Sequence, residues 1–192
     1  MDELILNILS ESLSVKKIAV TNNLEYIKTG VRRLADCIAE GQKILIFGNG
    51  GSAADAQHIA AEFVNRFMIE RPPLAAVALT TDTSILTSIG NDYHFEDIFS
   101  KQIQAIGKAG DIAWGISTSG NSPNVLKGLQ MAKKMKMYTI GLTGRGGDMV
   151  SHVDLALAVP SDNTARVQES HLTLAHILCE LVERTLYPSH KK

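Results

Sequence analysis

From residue 43 onward, short apolar runs rich in β-branched residues alternate with longer segments of helical periodicity. The apolar runs cover residues 43–47, 74–79, 111–116, 138–142 and 155–159, and the helical segments cover residues 53–67, 94–106, 123–135 and 164–186. Strands that alternate with helices pair in parallel and are covered on both faces. The pattern therefore predicts an α/β domain with a five-stranded parallel sheet flanked by helices. Such sheets bind ligands beyond the carboxyl ends of their strands.

The first 40 residues lie outside this alternation and carry two further helical patterns. Their apolar positions are Ile5, Ile8, Leu9 and Leu13, then Leu24, Ile27, Val31, Leu34 and Ile38. Such stripes must be buried, either on the chain's own sheet or against a second subunit. We expect one domain over residues 1–192, made of a helical pair (1–40) and an α/β core (41–187), with a frayed tail at 188–192.

Composition limits the classes of partner that the protein can bind and the compartment in which it is expected. The formal net charge is −1, which argues against direct contact with nucleic acid. The sequence has no apolar run near the ~20 residues that span a bilayer, and its acidic start is unlike a signal peptide. Cys37 and Cys179 fall in amphipathic helical patterns, as core residues do in a reducing compartment. We expect a cytoplasmic protein without a membrane partner.

Residues 117–122, Ser-Thr-Ser-Gly-Asn-Ser, connect a predicted strand to a predicted helix. The free N–H groups at a helix start and the helix dipole favour an anion there. Four hydroxyls in this serine loop can donate to phosphate oxygens; they belong to Ser117, Thr118, Ser119 and Ser122. The loop contains no lysine, so it differs from the nucleotide-binding P-loop. The sequence predicts a phosphorylated metabolite as ligand, and an ordinary Ser/Gly turn is the alternative.

A glycine-containing loop, Gly48-Asn49-Gly50-Gly51-Ser52, follows the first predicted strand. Together with Ala53 it partly matches a dinucleotide-binding fingerprint, but Asp82 comes later than the acidic residue of that fingerprint should. We interpret the loop as one wall of a substrate cleft, with Asn49 and Ser52 facing the ligand.

Two predicted helices carry residues that could ligate a metal. His58 and Glu62 are four residues apart and share a helix face, so they suit a metal site, an acid/base pair or a surface ion pair. Gln168 and His176 are ~12 Å apart along their helix, so they reach one metal only if their side chains converge or belong to different subunits. His171 is expected on the surface or at an interface.

Three further features have weaker signals. Asn91 and Asp92 lie in a polar Gly-Asn-Asp-Tyr segment that is typical of a turn, with sugar hydroxyls as the ligand if it faces the cleft. Residues 144–148 are interpreted as a plain turn. Arg66 and Arg166 could bind phosphate or carboxylates, and nothing in the sequence favours either.

Taken together, these motifs resemble the phosphoheptose isomerases of the sugar-isomerase (SIS) superfamily. The serine loop marks only the superfamily, whereas His58, Glu62, Gln168 and His176 are more specific. The resemblance covers nearly the whole chain and implies a flavodoxin-like fold, a homotetramer, one Zn²⁺ per subunit and active sites at subunit interfaces. Some members carry an aspartate where this chain has Ala165.

The resemblance also implies a residue-level site. The metal ligands would be His58, Glu62, Gln168 and His176. The substrate contacts would be Asn49, Gly50, Gly51, Glu62, Asn91, Asp92, Ser117, Thr118, Ser119, Ser122 and Gln168. The interpretation of the glycine loop adds Ser52. Glu62 and His176 would be catalytic, moving protons in an aldose–ketose isomerisation of a seven-carbon sugar phosphate. A SIS protein that binds the bacterial replication initiator, and a sugar-phosphate sensor, are the alternatives.

Overall fold

The computed structural model describes residues 1–188. The tail predicted to fray, 188–192, therefore lies outside the described residues except for Pro188. Five parallel strands form one sheet in the order β2-β1-β3-β4-β5, which is the flavodoxin-like order. The strands are β1 Ile44–Gly48, β2 Ala76–Ala78, β3 Ile112–Ser117, β4 Tyr138–Thr143 and β5 Leu155–Ala158. The predicted fold class is confirmed.

Eight α-helices surround the sheet within the described residues. They are α1 Asp2–Asn22, α2 Leu24–Ala39, α3 Gly51–Val64, α4 Thr83–Asp92, α5 Ile98–Ile106, α6 Pro123–Lys134, α7 Met149–His152 and α8 Thr164–Leu186, with a 3₁₀ turn at Phe95–Asp97 before α5. No helix of the part described is long and apolar enough to cross a membrane.

Two apolar cores form because successive strand residues point to opposite faces of the sheet. On one face, Ile44 and Ile46 pack with residues of α2, α3 and α8. On the other face, Leu45 and Phe47 pack with residues of α5 and α6. Cys37 and Cys179 are buried, as expected of core residues.

The predicted helical pair is present, and its two helices are buried to very different extents. The second helix, α2, buries Ile27, Val31 and Leu34 against the sheet and α8. In contrast, α1 buries only Ser12 and Ala19. Most apolar side chains of α1 are therefore exposed on the surface of this chain.

Two helices were not predicted, the four-residue α7 and the longer α4. Residues 83–92 form α4, which begins where the Asp82 carboxylate accepts a hydrogen bond from Ile85 N at 2.9 Å. Asn91 and Asp92 thus lie in the last turn of a helix. None of the residues of α4, all of which are described, is buried. Its half-buried Leu86 and Ile89 pack against the core that contains Phe47. Two such positions are too few to give a clear periodic signal.

Candidate functional site

The serine loop and the glycine loop lie together where β1 and β3 end. These strands are adjacent, and Gly48 pairs with Ile116 in their register. The chain leaves β1 toward β2 on one side and leaves β3 toward β4 on the other, so a crevice opens between the two loops. This is where the fold predicts a ligand.

The hydroxyls of the serine loop converge. Ser117 Oγ lies 2.9 Å from Ser122 Oγ and 3.4 Å from Ser119 Oγ. Ser122 precedes α6 but its side chain does not cap the helix, and Pro123 occupies the first turn. Pro123 has no N–H group and Val125 N donates to Asn124 Oδ1 at 2.9 Å, so the first turn of α6 offers an anion little beyond Asn124 N. Ser117 is buried, whereas Ser119 is exposed.

The glycine loop is tied to the start of α6. The side-chain amides of Asn49 and Asn124 exchange two hydrogen bonds of 2.8 Å. Gly50 adopts a φ of 56°, a conformation that favours glycine. Ser52 is buried below Gly48.

Residues 144–148 are more than the plain turn that we predicted. Gly144 N donates to Thr118 O at 3.1 Å, and Asp148 N donates to Asn121 Oδ1 at 2.8 Å. Arg145 lines a cavity of about 280 Å³ together with Thr118 and Ser119. This segment is therefore a wall of the serine-loop site, brought there by the pairing of β3 with β4.

His58, Glu62 and His176 form a compact cluster in the groove between α3 and α8. One ligand atom from each lies within 4.8 Å of the others. His58 Nε2 is 2.9 Å from Glu62 Oε1, and the two imidazole rings meet edge to face at 5.1 Å. His176 Nε2 is buried without a hydrogen-bond partner among the described residues. Two imidazoles and a carboxylate are the donors that Zn²⁺ prefers.

The electrostatics of the groove keep His176 neutral. Burial lowers its pKa, the positive charge of a protonated His58 lowers it further, and the Glu62 carboxylate opposes both effects. A neutral imidazole can ligate a metal or exchange protons. One turn before His58, burial raises the pKa of the Asp55 carboxyl, whose Oδ2 has no partner in the described part of the chain.

Gln168 lies in the same groove but near the first turn of α3, away from the cluster of His58, Glu62 and His176. Its amide packs against Gly51, where a methyl group would overlap it. Gly51 precedes His58 by two turns, about 10 Å along α3. Within one chain, the first turn of α3 and the three-residue cluster are thus separate along the groove.

Other predicted residues lie elsewhere. Asn91 and Asp92 are exposed and bonded to each other, Asn91 Nδ2 donating to Asp92 Oδ1 at 2.8 Å. Arg166 binds α1, donating to Ile8 O at 3.0 Å. His171 is fully buried within the chain and bonds Thr143 O at 3.0 Å, so the expected surface or interface position was wrong. It lies on the face of α8 that covers the sheet.

Sequence reasoning missed Arg71 and Glu183. They form a buried ion pair with Arg71 Nε 2.8 Å from Glu183 Oε1. The available signal was a carboxylate at position 183, among the apolar positions of α8 that face the core, such as Leu178 and Val182.

Comparison with known proteins places this chain in a class. Residues 9–144 match the family model of the SIS domain. A protein from Vibrio vulnificus, NanR complexed with ManNAc-6P, shares the fold at a TM-score of 0.65 and 15% identity, covering 98% of this chain and 67% of that one. Fold and sequence together define a SIS-domain protein.

Other relatives are far more similar. Phosphoheptose isomerase from Thermodesulfovibrio yellowstonii is 54% identical over 95% of this chain and 92% of its own. The structure of phosphoheptose isomerase GmhA from Neisseria gonorrhoeae has a TM-score of 0.89 at 45% identity, covering 95% of this chain and 98% of that one. The chain belongs to the phosphoheptose isomerase family, and the predicted resemblance is confirmed.

Proposed function

We propose that this protein converts D-sedoheptulose 7-phosphate to D-glycero-D-manno-heptose 7-phosphate, the first step toward bacterial surface heptose such as that of the lipopolysaccharide core. The observation that carries the proposal is the His58, Glu62 and His176 cluster in a chain that is 54% identical to a phosphoheptose isomerase. The serine loop supports it because its converging hydroxyls can hold a phosphate.

The cluster suits one Zn²⁺ per subunit. The unpartnered Nε2 of His176 and the adjacent imidazole and carboxylate are a fitting donor set. Gln168, from a second subunit, stays the predicted fourth ligand and would bind through its amide oxygen. When bound, Zn²⁺ would polarise the sugar carbonyl and stabilise negative charge on the neighbouring oxygen.

Isomerisation needs one proton moved between C1 and C2 and another between their oxygens. We assign Glu62 as the base that removes the carbon-bound proton and returns it to the neighbouring carbon. His176, held neutral by burial, exchanges the proton between the two oxygens of the enediolate. The serine loop holds the 7-phosphate, and this remote binding orients the reacting carbons.

The remaining predicted contacts would complete the sugar site. Asn49, Gly50 and Gly51 would contact the sugar from the glycine loop, and the buried Ser52 would support that loop. Gln168 packs against Gly51, and Asn91 and Asp92 would bind sugar hydroxyls from the exposed end of α4. We propose that a second copy of the chain brings the exposed residues and the cluster into one site. A homotetramer, assembled through α1, would supply that interface.

We further propose that the protein works in the cytoplasm without a nucleic-acid or membrane partner, since its net charge is −1.

A turnover assay with sedoheptulose 7-phosphate, with and without a chelator, tests the function. Activity that chelation removes and Zn²⁺ restores is the expected result. Glu62→Gln should lower kcat by about 10²- to 10⁴-fold while sparing phosphosugar binding. Glu25→Gln, an exposed carboxylate on α2, is the control. Full turnover by Glu62→Gln would remove Glu62 as the base, and activity that survives complete metal removal would contradict the metal role.

Each of the two alternative functions predicts binding without turnover of sedoheptulose 7-phosphate. A SIS protein that binds the replication initiator would capture purified initiator and show no turnover. A sugar-phosphate sensor would bind the substrate without converting it. The cluster favours catalysis over both, since binding alone requires no such donor set.

A further inference from the structure

A buried ion pair lies beside the cluster without belonging to it. The side chains of Arg71 and Glu183 are 1% and 2% exposed. Removing two charges from water costs nearly as much as their attraction returns, so such a pair contributes little net stability compared with apolar residues. The role of this ion pair therefore lies in the positions of the groups that it binds.

Arg71 closes the end of α3. Its Nη1 donates to Phe63 O and its Nη2 to Glu62 O, both at 2.7 Å. The last carbonyls of a helix have no donor within it, so this end would otherwise fray. A cation here also complements the helix dipole. Glu62 therefore lies in a terminal turn that Arg71 holds in place.

Glu183 fixes the turn that follows α3. Its carboxylate accepts hydrogen bonds from Phe67 N and Met68 N, each at 2.8 Å, and from Ile69 N at 3.2 Å. Burial would raise the pKa of Glu183, but these bonds and Arg71 outweigh burial and lower it. The carboxylate is thus ionised and binds the turn as well as the guanidinium.

This turn places an aromatic ring on the cluster. The Phe67 ring lies 5.0 Å from the His176 ring. Glu183 follows His176 by seven residues, two helical turns, so both are on the same face of α8. The chain of contacts therefore runs from α8 through the ion pair to the end of α3, and returns through Phe67 to His176.

We propose that Arg71 and Glu183 are positioning residues of the metal centre. They hold the end of α3, which carries Glu62, and the Phe67 ring, which orients His176, at the separation that one ion requires. Neither touches the ion. The inference rests on the proposed metal role of the cluster.

Two variants and one matched control test it. Glu183→Gln removes the charge with little change of shape, and Phe67→Leu removes only the ring contact. The control, Asp111→Asn, disrupts another pair with a buried carboxylate, whose bonds go to Lys43 and Lys108. For each protein we would measure the melting temperature, the Zn²⁺ affinity by chelator competition, and the visible spectrum of the Co²⁺ form.

Glu183→Gln and Phe67→Leu should each bind Zn²⁺ about 10- to 100-fold more weakly and alter the Co²⁺ spectrum. The control should have a lower melting temperature but the Zn²⁺ affinity and the Co²⁺ spectrum of the wild type. Zn²⁺ affinities within twofold of wild type in both variants would overturn the inference. If Glu183→Gln does not fold, Phe67→Leu decides.

A wild type that binds no metal would instead refute the proposed metal role. The positioning claim is then tested by the imidazole NMR signals of the metal-free protein. Glu183→Gln should shift the His176 signals, although it does not touch that ring, and Asp111→Asn should leave them unchanged. Unchanged His176 signals in Glu183→Gln would refute the claim that Glu183 positions His176.

Discussion

Three hydroxyls of the serine loop already point at one another, which is the arrangement that a phosphate group requires. Replacing Ser119 and Ser122 together by alanine removes two of them. Since a hydrogen bond to a charged group contributes about 1.5–3 kcal/mol, we expect KM for the sugar phosphate to rise at least tenfold. The loss falls at the end of the substrate remote from the reacting carbons.

Steady-state kinetics and direct phosphosugar titration measure this effect. Thr185→Ala removes an exposed helix hydroxyl that bonds Leu181 O, and it serves as the control. An unchanged KM in the double variant would mean that the phosphate binds elsewhere.

His171 makes the stability of the protein depend on pH. Burial lowers its pKa to about 4, against about 6.5 for an exposed imidazole. Between these values the unfolded chain binds a proton that the folded chain does not, so stability falls as pH drops from 6.5 to 4. The full effect is about 3 kcal/mol.

Urea unfolding at pH 7 and near pH 4 checks this prediction. The His171→Gln variant is less stable at pH 7, because it weakens the bond to Thr143 O, yet it should lose about 3 kcal/mol less than wild type on acidification. Equal losses in the two proteins would show that His171 is not the responsible group.

At the scale of elements, residues 144–148 and the serine loop approach each other closely at Gly147. Gly147 has a φ of 95°, and a Cβ there would overlap Ser119 O and the Gly120 backbone. Gly147→Ala should cost about 2 kcal/mol or more and raise KM, because it pushes residues 144–148 off the serine loop. Gly146→Ala is the control, since a Cβ there meets nothing within 4 Å among the described residues.

Chemical denaturation and kinetics of the two variants give the comparison. Equal behaviour of Gly146→Ala and Gly147→Ala would contradict the close approach of the loops. The sequence shows glycines at both positions and has no means of ranking them, because only the partner loop makes one of them indispensable.

For the whole molecule, α1 presents an apolar surface to solvent. Its Leu6, Leu9 and Leu13 are 63%, 52% and 58% exposed. Exposed apolar patches of this kind mark interfaces, and we expect the patch to be covered by another copy of the chain. Leu9→Asp with Leu13→Asp should lower the order of the assembly and, because the site is proposed to form between copies, its activity.

Sedimentation of wild type and variant measures the assembly. Asn7→Asp with Ser14→Asp adds the same charge on exposed positions that lie about 100–160° around α1 from Leu9 and Leu13, and this control should sediment as wild type does. A wild type that sediments as a monomer would contradict the homotetramer.

The sequence by itself determined the parallel sheet, the five strands, the serine loop and the pairing of His58 with Glu62. These follow from local periodicity and from residues four apart on one helix. It could not place α4, because a helix with only two half-buried apolar positions, Leu86 and Ile89, has no clear apolar period. It also mistook residues 144–148 for a plain turn, since their role depends on a loop from another strand.

Only the tertiary structure decided which distant residues meet. It brought His176 to His58 and Glu62, buried His171, joined Arg71 to Glu183, and left Gln168 beside Gly51. These contacts arise from how α3 and α8 pack side by side on the sheet. Packing of two helices is set by all the side chains between them, and no spacing within either helix contains that information.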